Sequence, residues 1–327
     1  MEDMVGRASA EGVVDSRPAV LVLGGTGLVG RHLLSQLVDT KAASRIRVLD
    51  KMPPQIAHLA PSHAKAYDDP AVEFVQGDPS RAASLERAFK GAPFDCVINL
   101  SLDSVPLGQT AEVYDQLVVQ AAMGAAAAAA AHSARRYVDL STALVYEPSS
   151  KPSTESSKTK TWTKLAAAKL KAEAELRAAA AGSSLSVVSL RAAVPYGPGD
   201  MRSSIAGRLL CAAAYKHLGE GMRFLWDGEL AVATVHAADV AAAAWHVATL
   251  ASPAPVYNLA DSGRTTQRSI GLAITALCGL RVSFAGSLAS NAVKLKLGGL
   301  RGFAEIANDK HMEPFSELCA AGGVTST

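Results

Sequence analysis

The sequence of 327 residues predicts an α/β fold, a doubly wound parallel sheet with a smaller C-terminal lobe. Three observations predict it. The run Ala19–Leu23 is apolar throughout, as a strand buried on both faces must be, and it breaks directly into a glycine-rich turn and a helical pattern. Strand-like runs then alternate with helical stretches as far as Arg191. The chemically distinctive residues gather at the carboxyl ends of those runs, where open parallel sheets bind their ligands.

Taken in order, the expected strands are Ala19–Leu23, Ile46–Asp50, Val72–Gln76, Cys96–Leu100, Tyr137–Ser141 and Val187–Arg191. Between them the spacing predicts helices over Leu28–Val38, Ala82–Phe89, Ala111–Ala131 and Leu165–Ala180. The stretch Ala121–Ala131 is almost all alanine, the best helix former, and fits a helix packed closely on the sheet. After Arg191 the alternation weakens and the loops lengthen, although Tyr257-Asn258-Leu259 again reads as a sheet strand.

Composition narrows the classes of function. Lysine plus arginine number 32 against 30 acidic residues, a near-neutral balance with no electrostatic footprint for nucleic acid or an anionic membrane. Cys96, Cys211, Cys278 and Cys319 are widely separated, which fits reduced thiols of a cytoplasmic protein better than a disulfide framework or a zinc site. No HxH or HxxxH spacing suggests a metal. The first residues lack the apolar core of a signal peptide, and the alanine run is shorter than the about 20 residues a membrane span needs. The expected partners are a small-molecule substrate and a second copy in a homodimer, with no nucleic acid and no membrane span.

The turn after the first strand carries the chemistry. Gly24, Gly27 and Gly30 are spaced three apart, and a helix starts directly after them. A helix start offers unpaired N–H groups and the positive end of its dipole to a pyrophosphate, and residues without Cβ let the backbone approach. Thr26, Leu28 and Val29 belong to the same cradle. The second strand ends in Asp50, placed to accept from both ribose hydroxyls and to repel a 2′-phosphate, so NAD is expected over NADP. Lys51, Arg45 and Arg47 lie close enough to soften that preference. The division expected is a lead-in over 1–17, a dinucleotide-binding Rossmann domain over 18–191, and a substrate lobe over 192–327 from which 234–260 returns to the first domain.

From about Ala19 to Ala260 the chain resembles the extended short-chain dehydrogenases/reductases of the NAD-dependent epimerase/dehydratase type. GGTGLVG is similar to that family's nucleotide fingerprint, and VQGDPSR to the segment whose aspartate, here Asp78, approaches the adenine. VINLS resembles the strand end that lines the cofactor, implicating Leu100 and Ser101. RYVDLSTALVYEP resembles the strand carrying the catalytic Ser or Thr, here Thr142 with Ser141 beside it. LRAAVPYGPGD is similar to the loop at the nicotinamide end and includes Pro195, while TVHAADVAAA and VYNLA match two late motifs. In the first of these, His236 is expected to fix the loop and Asp239 to cap a helix over Val240–Leu250.

The family's catalytic pattern is broken at one place. Its members use a tyrosine, a lysine four residues later that lowers the tyrosine pKa and holds the ribose, and the Ser or Thr. A phenol with a free pKa near 10 needs such a cation to work near neutrality. Lys169 matches the lysine, and four residues before it stands Leu165. Shifting the frame to Lys164 or Lys171 recovers no tyrosine, and Trp162 cannot exchange a proton near neutral pH; Tyr146 and Tyr196 lie in other motifs that approach the cofactor, and a phenol supplied by either from another direction is the less favoured alternative. Three readings follow. The chain is an atypical oxidoreductase or epimerase on an alcohol or carbonyl, nucleotide sugars included; or a silent dinucleotide-binding subunit, as an accessory member of the family in respiratory complex I is thought to be; or an interaction module with a vestigial site. Retention of Asp50, Asp78, Thr142 and Lys169 speaks against the third. Pocket candidates by location are Met201, Arg202, Tyr215, Arg223 and Trp226; Lys151–Lys171 reads as a solvated loop running into a helix, and Leu288–Phe303 as an amphipathic helix.

Overall fold

The computed structural model describes residues 16–292, apart from residues 92, 102–108, 148, 150 and 202. Arg202, most of the stretch Leu288–Phe303, Cys319 and nearly all of the expected lead-in lie outside the described residues. The strands are β1 (Ala19–Leu23), β2 (Arg45–Asp50), β3 (Val72–Gln76), β4 (Cys96–Asn99), β5 (Arg136–Thr142), β6 (Ser186–Ala192), β7 (Val194–Tyr196), β8 (Met222–Phe224), β9 (Thr234–His236), β10 (Val256–Leu259) and β11 (Val282–Phe284). The helices are α1 (Leu28–Asp39), α2 (Pro61–Lys65), α3 (Ala82–Phe89), α4 (Ala111–Tyr114), α5 (Ala121–Ala131), α6 (Lys164–Ala180), α7 (Ser204–Leu218), α8 (Ala237–Thr249), α9 (Gln267–Cys278) and α10 (Gly286–Ala292).

Seven strands form one sheet in the order β10-β6-β5-β4-β1-β2-β3, and every neighbouring pair runs parallel. The chain winds outward from β1 to β3, crosses back to β4 on the other side of β1, and winds outward again. Between β1 and β4 the direction of winding reverses, so their carboxyl ends open a crevice. The six sequence-predicted strands and the late strand at Tyr257 are all present. Val20, Leu21, Val22 and Leu23 are completely buried because β1 is central and covered on both faces.

One face of the sheet packs against α1 and α8, through Val29, Leu33, Leu34, Leu37, Val240 and Ala244. The other packs against α3, α5 and α6. In α5 the buried residues Ala122, Ala125, Ala126 and Ala129 make one stripe at helical spacing, and their single methyl groups let the helix lie close to the strands. The single helix expected over Ala111–Ala131 is interrupted by a π-helical stretch, Asp115–Gln120, which separates α4 from α5.

The C-terminal part builds a third, separate cluster from Ala212, Tyr215, Met222, Phe224, Ile270, Ile274 and Leu280, with β8 and β11 paired across it. Tyr215 is therefore a core residue there, whereas Met201 and Arg223 are exposed. No helix among the described residues is long and apolar enough to cross a membrane.

Candidate active site

The glycine turn is packed too closely for side chains at Gly24 and Gly30. Gly24 has φ +84°, and a Cβ on it would lie 2.6 Å from the backbone N and Cα of Ser101 at the end of β4. A Cβ on Gly30 would strike the carbonyl of Gly24 and lie 2.6 Å from Gly25 Cα, so the first turn of α1 is pressed directly onto the loop. Gly27 is the N-cap of α1 in extended conformation, and no side-chain hydrogen bond caps the helix there. Among the described residues no side chain caps the first N–H groups of α1, which carry the positive end of the helix dipole. Behind the turn, the buried Arg31 donates from Nη2 to Thr26 O at 2.7 Å and from Nε to Gly27 O at 3.2 Å, clamping the loop. Leu28 is half-buried and Val29 completely buried.

Asp50 sits beside this turn. Its Oδ2 accepts from Thr26 N at 3.0 Å and its Oδ1 from Met52 N at 3.1 Å, which engages the Thr26 amide and fixes the carboxylate. Lys51 reaches Asp78 Oδ2 at 3.1 Å, and Ser80 donates twice to Asp78 Oδ1. Burial raises the Asp78 carboxyl, but the Ser80 hydrogen bonds and Lys51 outweigh it and hold the group below the usual range. The two arginines near β2 are committed elsewhere. Arg47 is buried, pairs with Glu73 at 2.6 Å and donates to the carbonyls of Ala88 and Lys90, while Arg45 donates to Pro93 O.

On the other side of the crevice, β4 and β5 end in a polar cluster. Lys169 is 5% exposed and donates from Nζ to Leu140 O at 2.5 Å. Thr142 Oγ1 accepts from Leu144 N at 3.2 Å, which sets the hydroxyl at the strand end. Leu100 is buried and Ser101 Oγ donates to Asn99 Oδ1 at 2.6 Å. Asn99 Nδ2 donates to Asp139 Oδ1 at 2.8 Å. Four residues beyond Lys169, on the same face of α6, Glu173 accepts from Ser141 and from the Arg191 guanidinium, whose nearest contact is 2.7 Å. Arg191 also donates to Tyr146 Oη at 2.6 Å, and that hydroxyl donates to Asn258 at 2.9 Å. Both hydrogen bonds of the Tyr146 hydroxyl are thus to buried or half-buried protein groups. Leu165 packs against the cluster of α3, α5 and α6. Pro195 is half-buried in β7, opposite Val235 of β9.

Asn99, Asp139 and Glu173 carry no assigned role at the sequence level. The signal available there was a polar or charged residue inside a run that must be buried: Asp139 within YVDLS and Asn99 within VINL. Glu173 is signalled by its i,i+4 spacing from Lys169.

The late motifs bring a cluster of rings against α1. His236, not Asp239, is the N-cap of α8: its Nδ1 accepts from Ala238 N at 3.2 Å, and the helix begins at Ala237, earlier than the polar side chain at 239 suggests. Edge-to-face contacts join His236 to Tyr196 (5.3 Å) and to His32 (5.8 Å), and His32 to His63 (4.6 Å). His32 Nε2 lies 3.1 Å from Pro198 O, tying α1 to the loop after β7. Burial, then His63, lowers the His32 pKa; burial, then Arg31, lowers that of His63. Tyr196 is raised by burial and by Asp261, the opposite of what a proton-abstracting phenol needs.

Solved structures repeat this architecture. Similar chains include a UDP-N-acetylglucosamine 4-epimerase of Methanobrevibacter ruminantium in complex with UDP-N-acetylmuramic acid, at 21% identity and TM-score 0.68 over 83% of this chain and 86% of that one. The UDP-glucose 4-epimerase of Thermus thermophilus in complex with NAD gives 22%, 0.64, 82% and 86%. DesIV, a dTDP-glucose 4,6-dehydratase of Streptomyces venezuelae solved with NAD bound, gives 22%, 0.67, 92% and 98%. No curated protein matches the sequence. The family model described as NAD dependent epimerase/dehydratase matches residues 20–260, the same span that folds into the sheet, the glycine cradle and the Thr142–Lys169 cluster, and the chain therefore belongs to that family.

Proposed function

We propose that the chain binds NAD(H) across the carboxyl ends of β1, β2, β4 and β5 and acts as an oxidoreductase or epimerase on an alcohol or carbonyl carbon of a small molecule, a nucleotide sugar by analogy with its structural neighbours. The observation that carries this reading is the glycine turn: Gly24 and Gly30 let the end of β4 and the first turn of α1 press onto the loop backbone, and the helix starts after Gly27 without a side-chain cap. Asp50 then takes the adenosine ribose, with Asp78 on the adenine side. The other half of the dinucleotide lies towards Ser101, Thr142, Lys169 and Pro195, because a ligand at a switch point extends along both wings of the sheet. The substrate lobe is residues 192–327, with 234–260 returning to the sheet.

NAD supplies a reversible hydride acceptor when bound. Thr142 Oγ1 is free to donate towards the reacting oxygen while it accepts from Leu144 N. The Lys169 ammonium, held by Leu140 O, stabilises negative charge there and donates to the ribose. At position 165 no group moves a proton, so turnover lacks a contribution of about a hundredfold to ten-thousandfold. Leu165 favours a second reading, dinucleotide binding without turnover. Incubation with NAD⁺ and a panel of nucleotide sugars, read as absorbance at 340 nm and as epimer interconversion, separates the two. Turnover lost in Thr142→Ala and Lys169→Met supports the enzyme; bound dinucleotide with no conversion of any sugar supports the silent protein.

A further inference from the structure

Asp139 lies in the middle of β5, 1% exposed, in a strand otherwise built for burial. In register it stands between Asn99 of β4 and Ser189 of β6, so three buried polar residues form one row across the sheet. Its Oδ1 accepts from Asn99, which in turn accepts from Ser101 Oγ, next to the backbone that Gly24 packs against. Its Oδ2 is buried with no hydrogen-bond partner among the described residues. A carboxylate in such a place requires a counter-charge. The ionisable groups that act on it are Tyr137 on its own strand and Lys169 and Glu173 on α6, Glu173 being paired with Arg191 of β6. Glu173 and Arg191 are joined by three hydrogen bonds, so the cation whose field reaches Asp139 is Lys169, anchored to the next residue of the strand.

We propose that Asp139 is a positioning residue of the dinucleotide site: it orients Asn99 and, through Asn99, the Ser101 hydroxyl, and it cancels the charge of Lys169 at the end of the site that receives the nicotinamide. The proposal rests on the dinucleotide reading above. Its consequence is a preference between redox states. The oxidised nicotinamide ring is a cation and the reduced ring is neutral, while the rest of the molecule is the same. With Asp139 ionised the lysine and carboxylate form a neutral pair and the cationic ring is tolerated. Without that negative charge Lys169 repels NAD⁺ and leaves NADH unaffected.

Calorimetric titration of the whole chain with NAD⁺ and with NADH, for the wild type and Asp139→Asn, measures this directly. The substitution keeps the shape and an acceptor for Asn99 but removes the charge. The ratio Kd(NAD⁺)/Kd(NADH) is expected to rise about fivefold at pH 7.5, for a unit charge removed some way from the ring in a partly screened site. A purely structural role would weaken both dinucleotides together and leave the ratio unchanged, which overturns the proposal. A second arm needs no variant. Burial pushes the Asp139 carboxyl up to about 6 against the pull of Lys169 and Asn99, so the wild-type ratio should climb as pH falls from 7.5 to 5.5. A flat wild-type ratio over that range overturns the proposal even if Asp139→Asn does not fold. Failure of the wild type to bind either dinucleotide removes the dinucleotide reading and this proposal with it; binding with an unmoved ratio removes this proposal alone.

Discussion

Gly30→Ala tests the fit of the cradle with one methyl group. That methyl would meet Gly24 O and lie 2.6 Å from Gly25 Cα. Carbon atoms in contact sit about 3.5–4.0 Å apart, so α1 and the turn must separate by roughly 1 Å. Backbone lies on both sides and no flexible side chain can yield. Overpacking of this kind costs about 1–3 kcal/mol, and in a chain of this size a loss of that order lowers Tm by roughly 2–6 °C. The same displacement draws the helix N–H groups away from the pyrophosphate, and each 1.4 kcal/mol lost there is about tenfold in Kd. Gly124→Ala is the control. Gly124 lies in α5 with nothing within 4 Å of an added Cβ, and it should gain about 1 kcal/mol from helix propensity with no change in binding. Melting curves and NAD⁺ titrations of the two variants decide the matter. A Gly30→Ala protein that melts and binds like the wild type would refute the steric reasoning.

Four further outcomes are expected. Leu165→Tyr places a phenol one helical turn before Lys169 and should raise turnover, by about a hundredfold if the ring reaches the reacting oxygen; initial rates at several pH values check this. Glu173→Gln breaks the buried pair with Arg191 and should cost about 3–5 kcal/mol in urea unfolding, leaving a protein that denatures at markedly lower urea. His32 and His63 have folded pKa values below the unfolded 6.5, so the stability linked to their neutral forms is full above pH 6.5 and is lost as pH falls below it; His63→Leu should flatten the decline in stability between pH 6.5 and 5. For Asp139 the sign is reversed. Its folded pKa, about 6, exceeds the ordinary aspartate value of 3.8, so the folded state binds the extra proton and stability falls as pH rises between those values. Asp139→Asn should therefore gain on the wild type by up to about 3 kcal/mol from pH 4 to pH 7, measured by chemical unfolding at each pH.

The sheet was legible because its strands are continuous apolar runs closed by glycines and charges, and seven of them fall where those signals place them. The short strands β7, β8, β9 and β11 were not legible. Each has only three residues, too few for a period to show, and they form by pairing with partners far along the chain. The π-helical stretch left no mark either, since Asp115–Gln120 has ordinary helix-forming composition. In the candidate site, the glycine turn and Asp50 come from local spacing, while Thr142 and Lys169 come from the family resemblance. The roles of Asn99 and Asp139 depend on strands 40 residues apart in sequence coming into register, which only the fold reveals. The cap of α8 was misplaced because Asp outranks His as a capping residue by statistics, while the backbone turns into the helix two residues before Asp239.

Central to the account is that this cradle holds a dinucleotide with a free 2′-hydroxyl. The most direct test is a calorimetric titration of the purified chain with NAD⁺, NADH, NADP⁺ and NADPH, after chromatography has shown whether a nucleotide is already bound. The account predicts micromolar or tighter binding of the NAD pair and much weaker binding of the phosphorylated pair, because Asp50 occupies the 2′ side while Arg45 and Arg47 are committed elsewhere. Binding of none of the four would contradict it.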